Sequence, residues 1–124
     1  MIDIPGIENN IINILKRSNY IRISISIVKE DKIHHFVDTQ KNVWNSGMQK
    51  SEGMIGGTFG SSLKTKNEFL VFTGWRRELY HQKYMDEKFP ELFLKAQPKA
   101  DVFKITGEQF RVEDCWRVYP SIYS

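Results

Sequence analysis

The residue pattern predicts an α+β domain of the ferredoxin-like kind, β-α-β-β-α-β, with an extra N-terminal helix in front. Three observations carry this. Residues 20–29, YIRISISIVK, alternate with a period of two, as a strand with unlike faces does. Residues 69–75, FLVFTGW, are an unbroken apolar run, too short for a globular helix and rich in aromatic and branched residues, which reads as a strand covered on both faces. Two stretches of helical spacing, opening at Glu30 and at about Arg77, follow these two strands in turn. The order is that of a split βαβ unit, an antiparallel sheet with two helices on one face.

Residues 1–19 read as a separate helical extension and 20–124 as the domain. Pro5-Gly6 signals a turn, and Ile7, Ile11, Ile14 and Leu15 recur at helical spacing before Ser18-Asn19. A helix that short needs a surface to dock on. In the first strand Ile21, Ile23, Ile25 and Ile27 share one face, expected to pack on the helices; Arg22, Ser24, Ser26 and Val28 share the other. If that second face is enclosed, Ser24 and Ser26 offer hydroxyls to a cavity; otherwise they are a solvent-facing row.

Glu30-Asp31 opens the first helix with acidic residues where the helix dipole favours them. Its stripe is Ile33, Phe36, Val37, Gln40, Trp44 and Met48, with His34 on the flank and His35 exposed. Met54–Phe59 is a second strand whose Gly56-Gly57 pair suggests a bulge, and residues 60–67 are a hairpin loop. From Arg77 to Pro90, which should break or restart the helix, Tyr80, His81, Tyr84 and Met85 fall on one face. Phe89, Leu92 and Phe93 follow, Gln97-Pro98-Lys99 is a linker, and residues 109–119 alternate as a last strand. The third strand is apolar on both faces, whereas one such domain covers only one of them. A homodimer with two sheets face to face is therefore expected.

The totals narrow the function. The 124 residues hold one domain, and the single cysteine, Cys115, excludes an intramolecular disulfide and a cysteine-rich metal site. Neither a membrane-length apolar run nor a secretory leader is present, so a cytoplasmic protein without membrane contact is expected. The net charge of +3 is spread along the chain and interleaved with acids, so nucleic acid is not an expected partner. No metal-ligand spacing, phosphate loop or nucleophile–base motif occurs.

What chemistry remains sits on the second helix. The residue type makes His81 a candidate expected to titrate near neutral pH and to take a proton from a phenol; the alternative is a structural histidine at the helix edge. Tyr80 and Tyr84 can orient an aromatic ligand or fill core with their polar ends at the rim. Met85 belongs to the same face. Trp44 and Trp75 either wall a ligand pocket or pack on each other. Arg22 and Arg111 either meet an anionic ligand or pair with carboxylates. Cys115 has no neighbour in sequence that lowers its pKa.

Phe36, Gln40 and Trp44, then Glu52-Gly53 and Gly56-Gly57, then Trp75, Tyr84-Met85 and Phe93 stand in an order and spacing that resembles a known family. These are the dimeric α+β barrel proteins related to antibiotic-biosynthesis monooxygenases, and within them the YdbC-like proteins. The resemblance spans residues 20–119. It implies the ferredoxin-like fold, the homodimer and a small hydrophobic or aromatic ligand. Some members of the superfamily oxidise polycyclic aromatic substrates without a cofactor, and others degrade haem. The haem-degrading kind carry an asparagine on the first strand and a tryptophan and histidine on the second helical region. Here Ser24 and Ser26, Tyr84 and Leu94 stand near those positions, a departure that speaks against that activity. Two functions follow: a cofactor-independent, monooxygenase-like enzyme using His81 or Tyr84 on a small aromatic or quinone-like compound, or a non-catalytic dimeric binding or structural module.

Overall fold

The computed structural model describes residues 17–113. The element order is β1 (Tyr20–Val28), a continuous helical run α1 (residues 30–48), β2 (Met54–Ser61), β3 (Glu68–Trp75), α2 (Glu78–Glu87), α3 (Phe89–Ala96), a single turn α4 (Pro98–Asp101) and β4 (Val102–Arg111). The strands form one antiparallel sheet in the order β2-β3-β1-β4. That is the ferredoxin-like α+β arrangement expected from the sequence. The 1–19 extension lies outside the described residues up to Lys16.

Period-two strands and glycine punctuation account for the sheet. β1 pairs with β3 along its length, Ile23 opposite Phe72 and Ser24 opposite Val71. The expected bulge is present, because the β2–β3 register shifts between Met54 and Gly56. Gly53 turns the chain into β2 with φ of +78°, in the left-handed region that favours glycine. A side chain there would also strike the ring of Tyr80. Pro90 sits in the first turn of α3, where its missing N–H costs no hydrogen bond, so it restarts the helix. The expected linker at 97–99 is instead tightly folded. Gln97, with φ of +50°, closes α3, and Pro98 opens α4.

Two expectations are corrected. The face of β1 that looks toward the helices is the one with Tyr20, Arg22, Ser24, Ser26 and Val28, and the isoleucine row lies on the outer side of the sheet. Tyr20, Ser26 and Val28 are buried, and Arg22, Ser24 and Ser26 share a cavity with the helical residues Phe36, Trp44 and Tyr84. A period of two separates two faces without saying which is covered. The last strand also begins earlier than expected, at Val102, and ends at Arg111; Val112 and Glu113 are outside it and 114–124 lie beyond the described residues. β4 is an edge strand, nearly all exposed, so it lacks the apolar alternation that marks a half-buried strand.

The core groups Tyr20, Met48, Trp75, Tyr84 and Leu92, with Trp44, Met85 and Phe89 packed against it. Trp75 is fully buried and its indole N–H donates to Thr73 Oγ1 at 2.9 Å. A second aromatic group, Phe36, Phe59 and Phe69, pins α1 to the hairpin. At the far end His35 Nδ1 lies 2.5 Å from Asp101 Oδ2. The imidazole is half-exposed as expected, but it partners a carboxylate that is 1% exposed.

Candidate functional site

Between the sheet and the helices lies a cavity of about 180 Å³. Its floor is Arg22, Ser24 and Ser26 of β1, flanked by Val71, Thr73 and Trp75 of β3. Its walls are Phe36, Gln40, Trp44 and Met48 of α1, then His81, Tyr84 and Met85 of α2 and Phe89 and Phe93 of α3. An apolar cavity of about 150 Å³ already holds a benzene ring, so this one admits a compact aromatic molecule. The ring contacts continue around it: Trp75 meets His81 edge-on at 5.3 Å and Tyr84 at 5.4 Å, and Trp44 meets Phe89 at 5.5 Å.

Of the residues singled out from the sequence, Ser24, Trp44, Trp75, His81, Tyr84 and Met85 converge on this cavity. Tyr80 does not. It sits over Gly53, with the Arg76 guanidinium 5.7 Å from its ring. A helical face about 140° wide spans more than the cavity sees, and Tyr80 is on its far edge. Trp44 and Trp75 stand on different walls, each with other ring partners. Leu94 is 75% exposed, and Cys115 lies outside the described residues.

His81 is 6% exposed and its bonding fixes its chemistry. Tyr20 spends its one hydroxyl proton on Gln109 Oε1. His81 Nδ1, 3.3 Å from the same hydroxyl oxygen, must therefore be the donor to it. The remaining nitrogen, Nε2, then carries a lone pair. Burial, and next to it the positive charge of Arg22, pull the His81 pKa down to about 4, so the ring is neutral at pH 7. Burial also pushes the Tyr84 phenol up to about 12, which keeps it protonated and a donor.

The polar atoms of the cavity are open. Among the described residues no sealed side-chain nitrogen or oxygen lacks a partner. Nε2 of His81, the hydroxyls of Tyr84, Ser24 and Ser26, and Oε1 of Gln40 make no hydrogen bond with the described residues, and all belong to cavity-lining residues. None of these atoms is sealed from solvent. Gln40 is held by its amide, which donates to Asn45 Oδ1 at 2.9 Å. It opens a π-helical turn, Gln40–Trp44, inside α1. Such wide turns recur at functional sites because they re-aim side chains without ending the helix.

Sequence reasoning missed Tyr20, Gln109 and the weight of Gln40. Tyr20 was visible as the first residue of a strand, in phase with Arg22 and Ser24. Gln109 required β4 to be placed correctly. The π-turn leaves no signal in composition.

No protein-family model matches the sequence, and no curated protein matches it. Solved structures do. A monooxygenase from the gene ActVA-Orf6 of Streptomyces coelicolor, in complex with the ligand nanaomycin D, superposes with a TM-score of 0.69 at 13% identity, covering 86% of this chain and 96% of that one. SnoaB, a cofactor-independent oxygenase from Streptomyces nogalater, gives 0.66 at 10% identity over 84% of this chain and 100% of its own. A conserved protein from Methanosarcina mazei gives 0.67 at 18% identity over 82% and 99%. The shared property is the fold. This chain has the ferredoxin-like α+β fold on which those oxygenases are built. No helix among the described residues is long and apolar enough to cross a membrane.

Proposed function

We propose that this protein binds a small aromatic or quinone-like compound in the sheet–helix cavity and acts on it as a cofactor-independent, monooxygenase-like enzyme. The observation that carries the reading is a cavity with aromatic walls in which His81 Nε2 and the Tyr84, Ser24 and Ser26 hydroxyls have no partner among the described residues. Such groups are costly to leave unpaired unless a ligand or solvent meets them. Trp44, Trp75 and Met85 supply the apolar contact, Tyr84 and Ser24 the orienting hydroxyls, and His81 Nε2 the proton acceptor. The fold shared with oxygenases supports the reaction class, and Phe36, Gln40, Trp44 and Trp75 support the YdbC-like subset of that superfamily.

The substrate in this reaction is a hydroxylated aromatic ring. The ring hydroxyl gives its proton to His81 Nε2. The anion passes electrons to dioxygen, and a carbon–oxygen bond forms at a ring carbon bearing hydrogen. The O–O bond then breaks as that hydrogen leaves as a proton. One oxygen atom becomes a carbonyl, the other leaves as water with the two protons, and the product is a quinone.

The active unit we propose is a homodimer, because Ile23, Ile25, Leu70 and Phe72 form an apolar patch on the sheet face opposite the helices. A cytoplasmic setting fits the single cysteine. A second reading, a binding module without catalysis, is favoured by the weak basicity of His81.

Naphthoquinone titrated into the protein should quench the fluorescence of Trp44 and Trp75 and raise the melting temperature. A dihydroxynaphthalene should then drive oxygen uptake that His81→Ala abolishes. Quenching without uptake selects the binding module; neither effect refutes both.

A further inference from the structure

Among the described residues, Arg22 is the one charged side chain that lines the cavity. Its Nη1 donates to the carbonyls of Ile23 at 2.8 Å and Glu108 at 3.3 Å, which fixes the guanidinium plane. No carboxylate among the described residues lies within ion-pair reach of it. Its Nε and Nη2 hydrogens have no acceptor among the described residues. The sheet makes room for it. Gly107 on β4 stands opposite Ser24, and a Cβ built there would overlap Nη2, Nη1 and Cζ of the guanidinium. A bare backbone at this position lets the charge lie flat on the sheet beside the cavity.

We propose that Arg22, seated over Gly107, is the anchor for an anionic oxygen, and that the natural ligand is an aromatic carrying an acidic enol, hydroxyquinone or carboxylate group. This rests on the cavity being the ligand site. A guanidinium fixed at the cavity with hydrogens to spare can meet an anion there, and its planar fork fits a pair of oxygen atoms.

Proton energetics point the same way. A simple phenol titrates near 10 and His81 near 4, so proton transfer to Nε2 is uphill unless the anion left behind is held. An anion held by Arg22 lowers that obstacle. It also neutralises the Arg22 charge, which adds to the larger effect of burial in lowering the His81 pKa.

The test is calorimetric binding of naphthoate and its neutral, nearly isosteric amide to the folded full chain. Wild type should prefer naphthoate by roughly 10- to 100-fold, the range of a charge-assisted hydrogen bond. Arg22→Gln should bring the two affinities together, chiefly by weakening naphthoate, and Arg22→Lys should keep part of the preference. Gly107→Ala should also lower it, by displacing the flexible end of Arg22 and not the strand. Equal binding of both ligands by wild type, or a preference that survives Arg22→Gln, overturns the anchor and leaves the cavity reading intact. Binding of neither ligand overturns both.

Discussion

The two faces of the sheet invert the usual reading of an amphipathic strand. Toward the helices β1 presents an arginine, two serines and a tyrosine; away from them it presents four isoleucines. The inner face encloses polar atoms that nothing in the described chain satisfies. On the outer face, Ile23, Ile25, Leu70 and Phe72 have no covering layer among the described residues. In the reading proposed above the two faces want different things: the inner a small molecule with oxygen atoms, the outer an apolar surface of protein size. Ligand binding is thereby proposed for the more polar side and assembly for the greasier one.

Substitutions on the two faces should fail in different ways. The largest loss is expected at the inner end, where Trp75 has no exposed surface. Trp75→Ala should cost about 3–5 kcal/mol in denaturant unfolding, and a change under about 1 kcal/mol would contradict its burial. On the outer face, a lysine at Phe72 should leave the cavity intact while weakening self-association at least roughly tenfold. Sedimentation should move from twice the chain mass toward a single chain. Wild type sedimenting as one chain at micromolar concentration would end the dimer proposal.

Next comes His81. Its folded pKa near 4 is below the unfolded value of 6.5, so the unfolded chain takes up the proton first as pH falls. Its contribution is thus fully present above about 6.5 and is lost on acidification through 4. The shift corresponds to about 3 kcal/mol at most, discounted to about 1–2 because the ring opens onto a cavity. Stability should decline between these values in wild type and more gently in His81→Asn. An unchanged slope would remove the buried neutral imidazole from the account. The smallest effect belongs to Tyr84→Phe and Ser26→Ala. Their hydroxyls have no partner among the described residues, so stability should move by under about 0.5 kcal/mol while affinity for an oxygenated aromatic falls. A loss above about 1 kcal/mol would mean that these hydroxyls are satisfied within the protein.

Much of this was legible in the residues. The alternation of 20–28, the apolar run of β3 and the phase of His81, Tyr84 and Met85 are local patterns, and local patterns survive folding. The orientation of β1 was not legible, because isoleucine lowers its free energy equally under helices or under another subunit. β4 was misplaced for a related reason: VFKITGEQFR is an exposed edge, and its register is set by pairing with β1, not by its own hydrophobicity. Tyr80 was grouped with the cavity because helical phase is known only to within about one residue, 100°, until packing sets the rotation. Arg22 was visible as a candidate, but its lack of a carboxylate partner is a fact of three dimensions.

The wide turn at Gln40–Trp44 has a genetic consequence. It accommodates one residue more than an α-helix would over the same rise, so Phe36 and Met48, on either side, keep the phase of an uninterrupted helix. Losing a single codon between Lys41 and Val43 would let the turn relax to ordinary helix with both flanks in place. The contacts of Phe36 with Phe59 and Phe69 would survive, and only the side chains of the turn itself, from Gln40 to Trp44, would be re-aimed. A change of length at this point is thus expected to reshape one wall of the cavity while sparing the helix that carries it.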